Sequence, residues 1–420
     1  MSEWKKVKLG DISSAIQTGP FGSQLHQSDY SDIGVPVVMP KDIINGSIDE
    51  STIARVESHH VERLSRHKIS EGDILYARRG DVGKCAYTVF AQQGWLCGTG
   101  CLRVTIDKQK ALPKFVFYQL QKRETIGWVE KHAIGATMLN LNTSILSDVP
   151  IDLPSLTTQH HIATILSRYD SLIENYQKQI KLLKEAAQRL YKEWFVDLHF
   201  PGHETTKIVD GVPEGWKKNT INDVCTLITS GSTPSRNKNS YWEDGTFRWV
   251  KTKELLDSWI LDTEEYITQE GYNNSSTKLF PANTILMAIY ASPTLGRLGI
   301  LSAECCCNQA ALGLIADEKV ISWQWLFWKL YELRDEFNAI ARGAGQQNIS
   351  GIVVKNKEIV IPAKRVIDGF TSVVSTMFEQ QKNLQLQIRI LTEARNRLLP
   401  KLMNGEINVG EERPERPKSA

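Results

Sequence analysis

Gly80-Asp-Val-Gly-Lys-Cys85 is the segment of this chain that comes nearest to a phosphate-binding loop. Such a loop needs four residues between its first glycine and its Gly-Lys pair, and then a Ser or Thr to hold magnesium. Here the glycines stand too close together and Cys85 occupies the last place. Two adjacent histidine pairs, His59-His60 and His160-His161, invite a metal or acid–base reading. The second pair opens a helical stretch, where neighbours point about 100° apart and share one ion poorly. Cys97 and Cys101 lack a second pair at matching distance, so no metal site is expected. Carboxylates gather from Asp257 to Glu265, as a nuclease would need, but no motif orders them. The chain has no Pro-Pro pair for the Asn/Asp-Pro-Pro-aromatic loop with which amino-methyltransferases hold their target, no His-Glu-x-x-His and no Gly-x-Ser-x-Gly. No catalytic residue is assigned.

The chemistry that remains is recognition of nucleic acid. Glycine-rich loops let backbone approach phosphates, Lys and Arg neutralise them, and Asn, Gln or Arg side chains pair bidentately with base edges. Candidates in the first half are Ser23, Gln24, Lys41, Arg78, Arg79 and Lys84. In the second half they are Arg236, Lys238, Lys251, Lys253, Tyr290 and Arg297, followed by Arg342, Gln346 and Gln347 before a closing strand. Their recurrence at matched positions argues for them more strongly than any one residue does.

That recurrence reflects an internal repeat, which organises the whole chain. Each half opens on a tryptophan and lysines, Trp4-Lys-Lys and Trp216-Lys-Lys. A stretch of helical character follows and ends in a glycine-rich loop, Thr18-Gly-Pro-Phe-Gly-Ser23 or Ser230-Gly-Ser-Thr-Pro-Ser235. Apolar strands then run into basic turns, at Val37-Val38-Met39-Pro40-Lys41 and Trp249-Val250-Lys251-Thr252-Lys253. A second strand and a Gly-basic step come next, Gly83-Lys84 in one half and Gly296-Arg297 in the other. Each half closes with a further glycine-rich loop, a strand and a proline, Pro154 or Pro362.

The strongest periodicity follows those prolines. Apolar or near-apolar residues fall at Ile162, Leu166, Tyr169, Ile173, Tyr176, Ile180, Leu183, Ala187, Leu190 and Trp194 in the four-three alternation of a coiled coil. The second half repeats the register at Phe370, Val374, Met377, Gln381, Leu384, Ile388, Leu391, Arg395, Leu398 and Leu402, with Gln381 and Arg395 as polar interruptions. Two seams of equal length and period predict that the helices pair with each other, and the repeat makes that pair antiparallel. Packing of each helix on its own globular half is the alternative. The expected class is α/β (α+β), with two globular α/β domains separated by the long helices and related by a pseudo-two-fold repeat. The boundaries are a first domain over 1–156, a first helix over 157–200, a linker over 201–215, a second domain over 216–364, a second helix over 365–404 and a tail over 405–420.

Composition bounds the setting. With 41% hydrophobic and 23% charged residues over 420 positions, the chain has the make-up of folded domains. Its longest apolar runs are too short to span a bilayer and no signal peptide is visible, so a cytoplasmic location without membrane contact is expected. Seven cysteines, three of them consecutive at Cys305-Cys306-Cys307, suit a reducing compartment. Lys+Arg of 50 against Asp+Glu of 48 leave a net charge of only +2. Affinity for DNA must therefore come from a locally sorted surface or from other subunits.

The arrangement of globular half, helix, globular half, helix resembles the specificity subunit of type I restriction-modification systems. The likeness covers nearly the whole chain. It rests on the Trp-Lys-Lys openings, on Gly343-Ala-Gly-Gln-Gln-Asn-Ile-Ser350 running into Ile359-Val-Ile-Pro362, on Ile151-Asp-Leu-Pro-Ser-Leu-Thr-Thr-Gln159, and on the exit Leu399-Pro-Lys-Leu-Met-Asn-Gly-Glu-Ile407. The resemblance implies two target-recognition domains, each reading half of a bipartite sequence in double-stranded DNA. It implies two modification subunits that use S-adenosylmethionine to methylate adenine, and restriction (motor-nuclease) subunits that use ATP and Mg. This chain would bind no cofactor itself. The first repeat departs from the family's Gly-x-Gly-Gln pattern, having Ala136-Thr-Met-Leu-Asn140. A coiled-coil scaffold joining two protein-binding domains without DNA, and a nuclease with a cryptic carboxylate site, are the competing readings.

Overall fold

The computed structural model describes residues 4–135, 139–209, 211–290, 294–341 and 348–409. They form two compact units, one of residues up to 172 together with those from 391 onward, the other of residues 173–390.

In the first unit the central strand is Ile74–Ala77, four consecutive buried residues, the continuous apolar run of a strand covered on both faces. It pairs antiparallel with Cys101–Ile106 on one side and Cys85–Tyr87 on the other, and Ser13–Thr18 extends the sheet beyond Cys101–Ile106. A second sheet runs in the order Leu96–Cys97, Val35–Val38, Ala54–Val56, Tyr30–Ser31, with its first pair parallel. Lys5–Lys8 pairs antiparallel with Pro150–Leu153, tying the opening of the repeat to the strand that precedes the first long helix.

The second unit repeats this plan. Lys217–Thr220 pairs with Glu358–Ile361, Cys225–Ser230 with Ala311–Ala316, and Ile285–Ala288 lies between Ala311–Ala316 and Leu298–Leu301. Ser258–Ile260 adds an extra strand parallel to Leu298–Leu301. The corresponding segment of the first unit folds instead as the hairpin Ile43–Ile44 and Ser47–Ile48. In both units the stretch after the opening strand, expected to be helical, is a single 3-10 turn followed by a strand, Ser13–Thr18 or Cys225–Ser230. The long-range partner decides the matter, because a β-capable segment takes the form that its sheet neighbour requires.

The long helices span Leu156–Tyr191 and Lys364–Met403. Every predicted seam position, including Gln381 and Arg395, is buried or half-buried. In the first unit Ile162 and Leu166 share a core with Leu399, Leu402 and Met403, and with Phe115 and Val116 of the helix Pro113–Leu120. In the second, Phe370 and Val374 share a core with Ala187 and Tyr191, and with Trp325 and Leu326 of the helix Trp323–Glu332. Early residues of one long helix thus meet late residues of the other, so within each unit the two segments run antiparallel. The helices also pack on globular residues, so the two alternatives drawn from the sequence hold together.

The compact units cut across the sequence segments, since each takes in the end of the helix that the other repeat supplies. The opening tryptophans mark those junctions. Trp4 lies against Gly405, where an added Cβ would come within 3.4 Å of the indole. Trp216 meets Phe195 and Phe200, with ring centroids 6.1 and 5.2 Å away. No helix among the described residues is long and apolar enough to cross a membrane.

Candidate nucleic-acid interface

In the first unit the central strand leaves the sheet at Arg78 and returns at Lys84. Ala77 N donates to the Lys84 carbonyl at 2.9 Å, Arg78 N to the Gly100 carbonyl at 2.7 Å, and Leu141 N to the Arg78 carbonyl at 2.8 Å. Arg79 and Asn140 form an isolated β-bridge. Gly19 approaches so closely that an added Cβ would stand 2.0 Å from the Gly98 carbonyl oxygen, and Thr99 Oγ1 donates to the Pro20 carbonyl at 3.0 Å. With Gly98 set against Met39 and Gly100 against Pro40, these contacts bring five segments together around residues 19–25, 39–42, 78–84, 97–101 and 139–141.

Lys41, Arg79 and Lys84 line one hollow of about 220 Å³ with Pro40, Ala77 and Asp81. Lys84 pairs with Asp81 at 3.0 Å, and Lys41 Nζ donates to the Thr52 carbonyl at 3.0 Å. Arg78 lies 5.7 Å from the ring centre of Phe21, an exposed aromatic in the first glycine-rich loop. Ser23 is exposed in the same turn, whereas Gln24 spends its Oε1 on Phe21 N at 3.1 Å. Phe21 and Asn140 join this surface without having been singled out as contacts from the sequence. An aromatic between glycines was the available signal for the first; the second owes its place to the bridge with Arg79.

The second unit keeps the frame and changes the electrostatics. Ala288 N donates to the Arg297 carbonyl at 2.9 Å, as Ala77 does to Lys84. Tyr290 bridges Asn348 as Arg79 bridges Asn140. An added Cβ at Gly231 would stand 2.0 Å from the Cys307 carbonyl oxygen. Arg297 is half-buried and Tyr290 is 39% exposed. Lys238 Nζ donates to the Tyr241 hydroxyl at 2.9 Å.

Arg236, Lys251 and Lys253, by contrast, are engaged by carboxylates. Lys253 Nζ lies 2.6 Å from Glu264 Oε2, and Lys251 Nζ lies 3.3 Å from that oxygen and 2.6 Å from Glu265 Oε1. Arg236 Nη2 lies 2.7 Å from Glu265 Oε2, with its guanidinium 3.5 Å from the ring centre of Trp242. Hydrogen bonds from Lys253 and Lys251 hold the Glu264 carboxyl below its ordinary range. Burial pushes Glu265 upward, but its bonds to Lys251 and Arg236 prevail and its carboxyl also lies low. A hollow of about 390 Å³ lies beside this network, lined by Arg236, Trp242, Asp244, Gly245, Glu264, Glu265 and Tyr266. Arg342, Gln346 and Gln347 lie outside the described residues.

Among the described residues no group of three His, Cys, Asp or Glu side chains could hold a metal ion. All seven cysteines are free thiols, and burial pushes Cys85 and Cys97 up to about 12.

The sequence profile of the type I restriction modification DNA specificity domain matches residues 1–185 and again 213–387. The chain is 26% identical to the type I restriction enzyme MjaIX specificity subunit of Methanocaldococcus jannaschii, over 97% of this chain and 94% of that one. It is 25% identical to the HindI specificity subunit of Haemophilus influenzae, over 97% and 100% of the two chains. The crystal structure of the S subunit of a type I system from M. genitalium shares the fold, with a TM-score of 0.60 at 16% identity over 95% of this chain and 96% of that chain.

Proposed function

Because this chain belongs to the family of type I restriction-modification DNA specificity domains, whose profile it matches twice, we propose that each repeat reads one half of a bipartite DNA target. The chain is the DNA sequence-specificity subunit of such a system. Its task is recognition; chemistry falls to its partners. Two modification subunits dock on the long helices and methylate adenine with S-adenosylmethionine, and restriction subunits use ATP and Mg.

One observation carries this reading. The same loop frame occurs in both repeats, with Arg79 bridged to Asn140 and Tyr290 bridged to Asn348 at the exit of each central strand. Two equivalent, chemically different edges on one chain suit a target made of two different halves. The helices, rising roughly 54 and 60 Å at 1.5 Å per residue, act as a ruler between the half-sites. If both repeats enter the major groove from one side, the half-sites lie about one helical turn apart.

Methylation mapping in cells that express this chain with its modification subunit tests the proposal. A split consensus is expected. Replacing residues 213–360 by another recognition domain should change one half of it, and deleting one heptad from each helix should change only the spacing. A replacement that changes both halves would defeat modular readout. Absence of salt-dependent duplex binding, with or without modification subunits, would favour the scaffold reading. DNA cleavage by this chain alone with magnesium would favour a nuclease.

A further inference from the structure

Lys41 and Lys253 occupy equivalent turns, Pro40–Asp42 and Thr252–Glu254, yet their surroundings differ. Lys41 donates to a neutral carbonyl, and the neighbouring Asp42 turns inward to accept from Met39 N at 2.8 Å. Lys253 instead ends an alternating chain of charges that runs through Glu264, Lys251 and Glu265 to Arg236. The chain is anchored to backbone. Glu254 accepts from Lys251 N at 2.7 Å through one oxygen and from Glu264 N at 2.9 Å through the other. Glu264 is therefore held in place although its side chain is 52% exposed.

Both lysines meet Glu264 on the same oxygen, Oε2. Among the described residues Oε1 has no hydrogen-bond donor. An exposed carboxylate is normally repelled by DNA, but here the cations Arg236, Lys251 and Lys253 balance the carboxylates of Glu254, Glu264 and Glu265, so this one can approach a duplex without net repulsion from the network. An ionised carboxylate only accepts hydrogen bonds. In the major groove it is complementary to an amino group and opposed to a carbonyl.

Resting on the reading of the second repeat as a half-site reader, we propose that Glu264 is a specificity-determining residue: its open Oε1 accepts a hydrogen bond from an exocyclic amine, cytosine N4 or adenine N6, at one position of the second half-site, and rejects guanine or thymine there. Lys251 and Lys253 keep the carboxylate ionised and offset its charge. In the first repeat the carboxylate beside Lys41, Asp42 at 3.9 Å, is buried and bonded to Met39 N and so is closed to a base, and the two half-sites are read by different chemistry.

The test uses the chain assembled with its modification subunits and a duplex library randomised across both half-sites. Wild type should prefer an amine-bearing base at one position of the second half-site. Glu264→Gln, whose amide also donates, should lose that preference by tenfold to a hundredfold, the range that a good base contact supplies, and leave the first half-site unchanged. Glu264→Ala should do the same. A consensus identical to wild type, a loss uniform over all sequences, a change confined to the first half-site, or failure of both variants to assemble would each overturn the proposal. Absence of sequence-specific methylation by wild type would sink the functional reading along with it. A specific wild type with indifferent variants would sink this inference alone.

Discussion

Asp170 and Arg395 stand 225 positions apart in the chain and form an ion pair, with Arg395 Nη1 2.8 Å from Asp170 Oδ1. The other carboxylate oxygen accepts from the Tyr118 hydroxyl at 2.5 Å. Arg395 interrupts the apolar seam of the second helix, and its partner lies on the first helix beside the seam residue Tyr169. A polar seam position of this kind can fix helix register at some cost in stability.

Removing one partner leaves the other charge half-buried without its counterion. Arg395→Ala should destabilise the first unit by about 1–2 kcal/mol, the pair being partly screened by solvent. Exchanging the two residues, Asp170→Arg with Arg395→Asp, should recover part of the loss. Thermal unfolding of the two variants beside the parent checks this, and an Arg395→Ala variant as stable as the parent would show that the pair contributes nothing.

Gln381 interrupts the same seam differently. It is 6% exposed, and its Nε2 has no hydrogen-bond partner among the described residues. A buried amide without partners costs free energy, so Gln381→Leu should stabilise the second unit by roughly 1 kcal/mol. Denaturant titration would show the midpoint move upward; a downward shift would mean that the amide meets a partner in the assembled protein.

Gly19 and Gly231 each lie where a Cβ would meet a carbonyl oxygen at 2.0 Å. Backbone on both sides must move to admit alanine, at a cost of about 1–3 kcal/mol. Gly19→Ala should lower the melting temperature and impair readout of one half-site, and Gly231→Ala should impair the other. Loss of both half-sites from either change would contradict the division of labour between repeats.

Arg79 and Lys84 line the hollow of the first unit. If they contact phosphates, Arg79→Ala and Lys84→Ala should each weaken binding by the assembled enzyme evenly across sequences and reduce the slope of log K against log salt by about 1. A change in base preference with an unchanged slope would instead make the residue a base reader.

The thiols provide a pH test. Burial raises Cys85, Cys97, Cys306 and Cys307 from an ordinary value of 9.0 to about 12, so the folded chain keeps protons that the unfolded chain releases. Their contribution is intact below pH 9.0 and falls as pH climbs toward about 12. At pH 8 a thiol reagent should label these four only after denaturation, because the thiolate is the reactive form. Rapid labelling of the native chain would contradict the burial.

Much of the architecture is legible in the sequence because it is written in local periods. A seam recurring every three and four residues can bury only one helical face, and two seams in one register can bury each other. The repeat also located Lys41, Arg79 and Lys84, which the structure gathers around one hollow. Composition could not say which carboxylate would neutralise which lysine. The balance of 50 basic and 48 acidic residues conceals a first unit whose Lys41 faces a carbonyl and a second whose Lys251 and Lys253 face Glu264 and Glu265. Nor could local propensity show that Ser13–Thr18 is a strand, that Trp4 meets Gly405, or that Asp170 finds Arg395. Periodicity is a property of neighbours along the chain and determines which face a residue takes. Pairing of charges and strands depends on distances between segments far apart in sequence, and only the folded chain sets those.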